Sequence, residues 1–166
     1  GRKKYGLRMR LVTNGLKLAD KEYCREIIKR KTTILLAYDG ENPKLYDEIR
    51  GMPKALELTH QALDNIREIG GAKTTFMTLV SRDYNMEQLQ DIFNFAHEYR
   101  STVRATYLMP LAHSWEKEDW DYDPERTTTE DLENAVDRAY PDMDIHFLPA
   151  GLLGQLPNLK KCLRIK

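Results

Sequence analysis

Three polar clusters in the first third of the chain carry the residue types best suited to chemistry. Thr13 and Asn14 end one apolar run, Asp39 ends a second, and a glycine closes each end. Arg50 and a further glycine follow the second run after a short helical pattern. Parallel barrels and doubly wound sheets place functional side chains in this way, where a rigid strand becomes a loop. The pattern therefore predicts a functional site built from strand ends.

Each of these side chains also has a structural interpretation. Asn14 with the following glycine suits a turn that needs positive φ angles. Asp39 could seal its loop by accepting backbone N–H groups. Arg50 could form an ion pair at a helix end with Asp47 or Glu48. Taken alone, the residues leave the functional and the structural interpretations open.

Apolar, strand-like runs alternate with helical patterns along the whole chain. The second run is apolar throughout, as in a strand covered on both faces, and the third is rich in β-branched residues. Such alternation favours βαβ units and a parallel sheet, which is an α/β fold. The predicted strands are 8–13, 32–38, 74–80, 103–109 and the weaker 144–148.

Helical patterns occupy the segments between the predicted strands. Asp20 is a suitable N-cap, and Pro43 suits the first turn of a short helix. A stripe of apolar residues spaced three and four apart predicts a longer helix that ends at two glycines. Thr129 is a suitable cap for the last helix. The predicted helices are 20–30, 42–49, 55–69, 89–96 and 129–139.

Composition restricts the class of protein. A chain of 166 residues is long enough for one domain with a core, and its 26 basic and 26 acidic residues give a formal net charge of zero. No strong global field therefore attracts nucleic acid or an anionic membrane. No apolar run approaches the length of a membrane span, and no signal-peptide pattern opens the chain. Cys24 and Cys162 form no metal-binding spacing, and a reduced, cytoplasmic setting is predicted.

The residue types that bind metals show no convincing pattern. The four histidines share no ligand spacing, and only His113 follows a predicted strand closely enough to contact a substrate. Four acidic residues fit the first, third, fifth and last positions of a calcium loop, but Pro124 stands where that loop needs glycine. The sequence therefore predicts a solvated acidic loop and no metal ligands. These acidic residues are Asp119, Asp121, Asp123 and Glu130.

In their order and spacing, the strand ends resemble the radical S-adenosylmethionine (SAM) superfamily. Thr13-Asn14-Gly15 looks like the T-N-G that follows the third barrel strand of that family. The segments 38–40 and 46–51 look like its S-x-D-G and h-D-x-I-R-G, which follow the fourth strand. Residues 78–80 with Asn85 resemble the fifth strand and its T-V-x(n)-N. The match continues through a sixth strand at 107–110 and covers residues 4–111.

The resemblance departs from the family pattern in three places. The cluster-binding C-x-x-x-C-x-x-C is absent, and so is the G-G-E that contacts the methionine amine in the family. Ala37 stands where the family usually has serine. The expectation is a truncated chain that holds strands three to six of a partial TIM-type (β/α)6 barrel. Residues 1–111 would form the C-terminal half of the barrel, and 112–166 would add a loop, a helix and a short strand.

The resemblance implies a cofactor site in an intact parent enzyme. SAM and a [4Fe-4S] cluster would be the cofactors, although this chain holds no cluster ligands. Thr13, Asn14, Asp39, Arg50 and Asn85 would contact SAM. The parent would cleave SAM reductively to start radical chemistry on a substrate left open between a small molecule, a peptide and a lipid, and this chain alone would be inactive. Val80 and Met109 would flank the adenine, and residues 123–132 resemble proteins of the tetraether-synthase type.

Two other functions compete with this interpretation. The chain could be a non-catalytic binding or scaffold domain that keeps the barrel segment without the chemistry. It could also be part of an unrelated TIM-barrel lyase that uses Asp39 as its base. If the chain is truncated, removal of the first two barrel strands would leave residues 8–13 with an unpaired edge, which predicts self-association through that edge or marginal stability.

Overall fold

Four apolar runs of the sequence form the four strands of one parallel sheet. The computed structural model describes residues 2–111 and 125–143, and within them the strands lie side by side in chain order. Each neighbouring pair is parallel. The α/β class expected from the alternation of elements is therefore confirmed. The strands are β1 (Arg10–Thr13), β2 (Thr33–Ala37), β3 (Thr74–Val80) and β4 (Val103–Pro110).

Helices form the connections between these strands, as the helical patterns predict. Two short 3-10 helices, Leu16–Ala19 and Met86–Gln88, lie directly after the loops that leave β1 and β3. The α-helices of the described residues are α1 (Arg2–Tyr5), α2 (Lys21–Lys29), α3 (Pro43–Glu48), α4 (Ala55–Ile69), α5 (Leu89–Glu98) and α6 (Thr129–Ala139).

Two helices begin where the sequence predicts, and each has a side-chain cap. The Asp20 carboxylate accepts a hydrogen bond from the backbone N–H of Tyr23 at 2.8 Å, at the start of α2. The Asn42 side chain accepts one from the N–H of Lys44 at 3.1 Å, at the start of α3. These bonds satisfy N–H groups that have no partner inside the helix, and they fix where the chain turns away from the sheet.

The predicted cap of the last helix is wrong by one residue. Thr128, and not Thr129, is the N-cap of α6. Its hydroxyl accepts a hydrogen bond from the N–H of Asp131, and the Asp131 carboxylate accepts one from the N–H of Thr128. A reciprocal capping box needs an acidic or amide residue three positions after the cap, and only Thr128 stands three before Asp131.

The two faces of the sheet differ in how they are covered. On one face, which we call the outer face, Ile34, Leu36 and Phe76 are fully buried in a cluster with residues of α2, α4, α5 and α6. On the opposite, inner face, Val12 is 66% exposed and Tyr107 is 51% exposed. Alternation along each strand produces the difference, because successive side chains point to opposite faces.

The register of the sheet explains where the predicted strand boundaries fail. β1 begins at Arg10, two residues later than predicted, because its pairing with β2 starts at Arg10 and Thr33. The predicted fifth strand at 144–148 and most of the predicted acidic loop lie outside the described residues. Within the described ranges, none of the helices combines the length and apolar character needed to cross a bilayer.

Candidate functional site

Two adjoining clefts open at the carboxyl ends of the strands, where the sequence predicts a site. The first, of about 330 Å³, lies beside the start of α4. The second, of about 460 Å³, lies over the inner face of the sheet. Asn14, Ala37 and Arg50 line both clefts, so the two form one continuous rim region. Carboxyl ends of parallel strands are where α/β proteins bind ligands.

An ion pair between Asp39 and Arg50 lies at the centre of this rim. One carboxylate oxygen of Asp39, Oδ2, accepts hydrogen bonds from Arg50 Nε at 2.8 Å and Nη2 at 2.5 Å. The other, Oδ1, accepts one from the backbone N–H of Leu79 at 2.7 Å. Arg50 therefore pairs with Asp39, and the predicted structural partners Asp47 and Glu48 are wrong.

The pair joins a buried carboxylate to a partly exposed guanidinium. The Asp39 side chain is fully buried, whereas that of Arg50 is 31% exposed. Burial raises the pKa of the Asp39 carboxyl above its usual value, and the neighbouring Arg50 charge and Leu79 N–H partly oppose this. The guanidinium is thus held in place from inside the protein while part of its surface faces the clefts.

Tyr46 fixes the backbone next to Asp39. Its buried hydroxyl accepts a hydrogen bond from the Asp39 N–H at 3.1 Å and donates one to the Gly40 carbonyl at 3.0 Å. Gly40 has φ of 99°, and a Cβ there would lie 3.1 Å from Ile92, so a side chain is disfavoured by both strain and space. The turn after β2 is therefore fixed from both sides.

Asn85 lies behind the rim and lines neither cleft. Its side-chain Nδ2 donates to the backbone carbonyls of Asp39 and Leu79, both at 2.8 Å. Its Oδ1 accepts the N–H of Ser81 at 2.9 Å. Asn85 therefore satisfies backbone groups at the strand ends.

Thr13 and Asn14 combine a position in the clefts with a role in the turn after β1. The Thr13 hydroxyl accepts the N–H of Gly15 at 3.0 Å, and Asn14 Oδ1 accepts the N–H of Leu16 at 3.4 Å. Gly15 has φ of 83°, and a Cβ there would come within 2.5 Å of Leu36. The functional and structural interpretations of this tripeptide are therefore compatible.

Apolar side chains form the floor of the second cleft. Met77 and Met109 lie on the inner faces of β3 and β4 and line it together with Val12. Val80, which was predicted to flank the adenine together with Met109, is fully buried and lines neither cleft. Met77 was missed, although its alternation with the buried Phe76 indicates that it faces the inner side. Tyr46 was missed too, although it occupies the first position of the h-D-x-I-R-G pattern.

Metal-binding side chains do not cluster in residues 2–111 and 125–143, where no group of three or more histidine, cysteine or acidic residues could hold an ion. Cys24 is fully buried, and burial raises the pKa of its thiol to about 11, so it stays protonated near neutral pH. His113, Cys162 and three residues of the calcium-like pattern, Asp119, Asp121 and Asp123, lie outside the described residues.

Comparison with curated proteins finds distant relatives. The chain is 26% identical over 107 residues to 7,8-dihydro-6-hydroxymethylpterin dimethyltransferase of Methanocaldococcus jannaschii, covering 64% of this chain and 21% of that protein. It is 25% identical over 154 residues to the mycofactocin maturase MftC of Mycolicibacterium smegmatis, covering 90% and 39%. The identity to MftC of Mycobacterium ulcerans is 28% over 108 residues, covering 63% and 29%.

These similarities support a relationship to the radical SAM superfamily. No protein-family model matches the chain. The chain spans between 21% and 39% of the length of these relatives, so their whole length contains much that has no counterpart in these 166 residues.

Proposed function

We propose that this chain supplies the SAM-binding part of a radical SAM enzyme. The observation that carries the proposal is the Asp39–Arg50 pair. The buried Asp39 carboxylate holds the Arg50 guanidinium beside clefts at the ends of parallel strands. A bidentate arginine anchor of this kind suits a carboxylate, such as that of the methionine part of SAM. The distant relatives supply independent support for the superfamily.

The other groups of the rim fit the remaining parts of SAM. Thr13 and Asn14 offer hydroxyl and amide groups for a ribose, and Met77 and Met109 offer an apolar surface for a base. Ala37 provides no hydroxyl where the family usually has serine, and Thr13 would supply a hydroxyl contact in the second cleft. Asn85 would act from behind the rim and not as a direct contact to SAM.

In the intact enzyme, SAM and a [4Fe-4S] cluster would supply the reductive chemistry that starts a radical reaction. The residues of this chain would bind and orient the cofactor. Arg50 would pair with its carboxylate, and the apolar floor would exclude water from the reacting part. We propose that the cluster ligands lie upstream of residue 1 and that the four strands are the third to sixth of a (β/α)6 barrel. We also propose that the enzyme is cytoplasmic.

The proposal concerns the SAM site and not a particular substrate. The relatives are named as a pterin dimethyltransferase and as mycofactocin maturases, so their printed names state different reactions. The likeness of residues 123–132 to the tetraether-synthase type is a further, narrower proposal, and most of that segment lies outside the described residues.

The coding sequence upstream of residue 1 gives the first test. A C-x-x-x-C-x-x-C followed by G-G-E is expected there. The full-length protein, reconstituted with iron and sulfide without oxygen, should show the absorbance of a cluster and form 5′-deoxyadenosine from SAM when reduced. Absence of the motif and of the cluster would overturn the proposal in favour of a non-catalytic barrel-derived domain.

A pair of arginine variants tests the role of the rim itself. Arg50→Lys keeps the charge but loses the bidentate geometry, and it should weaken SAM binding in the full-length protein by roughly tenfold or more. Arg138→Ala is the control, because Arg138 is an exposed arginine that pairs with Glu87 away from the clefts. Equal SAM affinity in both variants would mean that Arg50 does not bind SAM, and it would overturn the proposal.

A further inference from the structure

Asn85 forms hydrogen bonds to the backbone at the rim although it lines neither cleft. Hydrogen-bonded pairing of β2 with β3 ends where the Tyr38 N–H reaches the Met77 carbonyl at 3.3 Å. Beyond that point the Asp39 carbonyl follows β2 and the Leu79 carbonyl lies in β3. Both accept a hydrogen bond from the same Asn85 amide. Asn85 therefore joins the two strand ends after their own pairing has stopped.

The backbone of Asn85 is itself held in place. The Ser81 carbonyl accepts the N–H groups of Tyr84, Asn85 and Met86, at 3.2 to 3.3 Å. The Asn85 side chain in turn accepts the Ser81 N–H. Nδ2 donates both of its hydrogens and Oδ1 accepts the Ser81 N–H, so a single orientation of the side chain makes all three hydrogen bonds. Asn85 is only 1% exposed, so water cannot replace these bonds without opening the loop.

Through these bonds, Asn85 controls the position of Asp39. Four groups of Asp39 are fixed: its carbonyl by Asn85, its N–H by Tyr46, Oδ1 by the N–H of Leu79 and Oδ2 by Arg50. Asn85 also donates to the carbonyl of Leu79, the residue that supplies the N–H to Oδ1. A change at Asn85 would displace both Asp39 and its Leu79 partner.

We infer that Asn85 is a positioning residue that sets the orientation of Arg50 by holding Asp39 and Leu79. The inference rests on the proposed function in so far as the oriented Arg50 serves to bind the SAM carboxylate. Asparagine suits this position because its amide offers two donors to two carbonyls. Aspartate has the same shape but no donors, and it would place a buried negative charge against both carbonyl oxygens.

The Arg50 Nε–H gives a readout that needs no SAM. In the isolated chain, its hydrogen exchange can be followed by nitrogen-15 NMR, and its hydrogen bond to Asp39 should slow that exchange. Asn85→Asp should speed the exchange by roughly three- to tenfold, the change expected when the hydrogen bond from Arg50 Nε to Asp39 is lost. If that variant does not fold, Asn85→Ser, which keeps one donor and shortens the side chain, is measured in the same way.

Asn65 provides a matched control in the same protein. It is a buried asparagine of α4 whose Nδ2 also donates to two backbone carbonyls, those of Leu18 at 3.0 Å and Ala19 at 2.8 Å. Asn65→Asp should destabilise the fold to a comparable extent and leave the Arg50 exchange unchanged. Equal acceleration in the Asn65 and Asn85 variants, or none in either Asn85 variant, would overturn the inference.

A second readout separates this inference from the proposed function. In the full-length enzyme, Asn85→Ser should raise the KM for SAM several-fold, with a smaller change in kcat, because it disturbs binding and not the reacting atoms. If SAM binds nowhere on the protein but the Arg50 exchange still depends on Asn85, the positioning role stands and the SAM function fails. If SAM is cleaved but the exchange is independent of Asn85, the reverse holds.

Discussion

The two faces of the sheet have similar apolar composition and opposite surroundings. On the outer face, Leu36 and Phe76 are fully buried beneath helices. On the inner face, Val12 and Tyr107 remain largely exposed, and Met77 and Met109 line a cleft. Because apolar area stabilises a fold only when it leaves water, the outer face holds the described region together. The inner face is available for a ligand or for further protein.

The sharpest test of this contrast exchanges one aromatic residue on each face for alanine. Phe76 packs on Tyr38 with ring centroids 4.8 Å apart, and Phe76→Ala should cost about 3–5 kcal/mol of unfolding free energy because it leaves a cavity. Tyr107→Ala should cost less than about 1 kcal/mol, as at other exposed positions. Urea denaturation of both variants provides the measurement. Equal losses would mean that the inner face is covered in solution.

Between the two faces, at the rim, removal of Arg50 should have the next largest effect. Arg50→Ala leaves the fully buried Asp39 carboxylate without its cation. We expect a loss of roughly 2–3 kcal/mol, reduced from the value for a fully buried pair because the guanidinium is partly exposed. Asp39→Asn in the same background should restore part of it, which a double-mutant cycle by chemical denaturation would measure. Additive effects of the two changes would contradict the coupling.

The inner face can also be tested through the free edge of β1, which pairs with no other strand among the described residues. We propose that two copies associate through this edge. Val12→Lys should abolish the association, because a lysine on an edge strand opposes further pairing. Tyr23→Lys on α2 introduces the same charge elsewhere and should not. Light scattering over a range of concentrations would detect the change, and a wild-type chain that is monomeric throughout would refute the proposal.

The smallest expected effect concerns α6, which supports the outer face. Thr128→Ala removes one side of the capping box and should cost about 1 kcal/mol. Hydrogen bonds from Thr128, and then the charge of Arg82, lower the pKa of Asp131. The stabilisation by Asp131 is therefore present above the unfolded pKa of about 4 and is lost as the pH falls through the lower folded value. The melting temperatures of Asp131→Asn and of the wild type should converge in acid, and a difference that does not change with pH would contradict this.

The residues within and around each helix or strand are sufficient to predict that element, but they do not predict the residues with which it pairs. β3 was predicted with its observed bounds, because a β-branched run follows two glycines, and Asp20 was identified as a cap from its type and position. The start of β1 depends on pairing with β2, which the local pattern does not contain. The three consecutive threonines 127–129 made the cap of α6 ambiguous until the reach of each hydroxyl to Asp131 was known.

The site shows the same limit at a longer range. Thr13, Asn14, Asp39 and Arg50 were predicted and line the clefts together. The partner of Arg50 was not predicted, because Asp47 and Glu48 are nearer in sequence, whereas Asp39 reaches it only once α3 turns back over the rim. Asn85 was identified from its place in the T-V-x(n)-N pattern, but its hydrogen bond to the Asp39 carbonyl depends on β2 and β3 being neighbours in the sheet.

Arg50 lines both clefts, and this has a consequence for handling the protein. Two of its N–H groups already serve Asp39, and within residues 2–111 and 125–143 no hydrogen bond engages the third nitrogen, Nη1. One remaining edge of a guanidinium pairs with one anion at a time, so anions approaching from the two sides exclude each other. Phosphate or sulfate in a buffer would then act as a competitor, and titrations in chloride at low ionic strength would give the higher apparent affinity for a carboxylate.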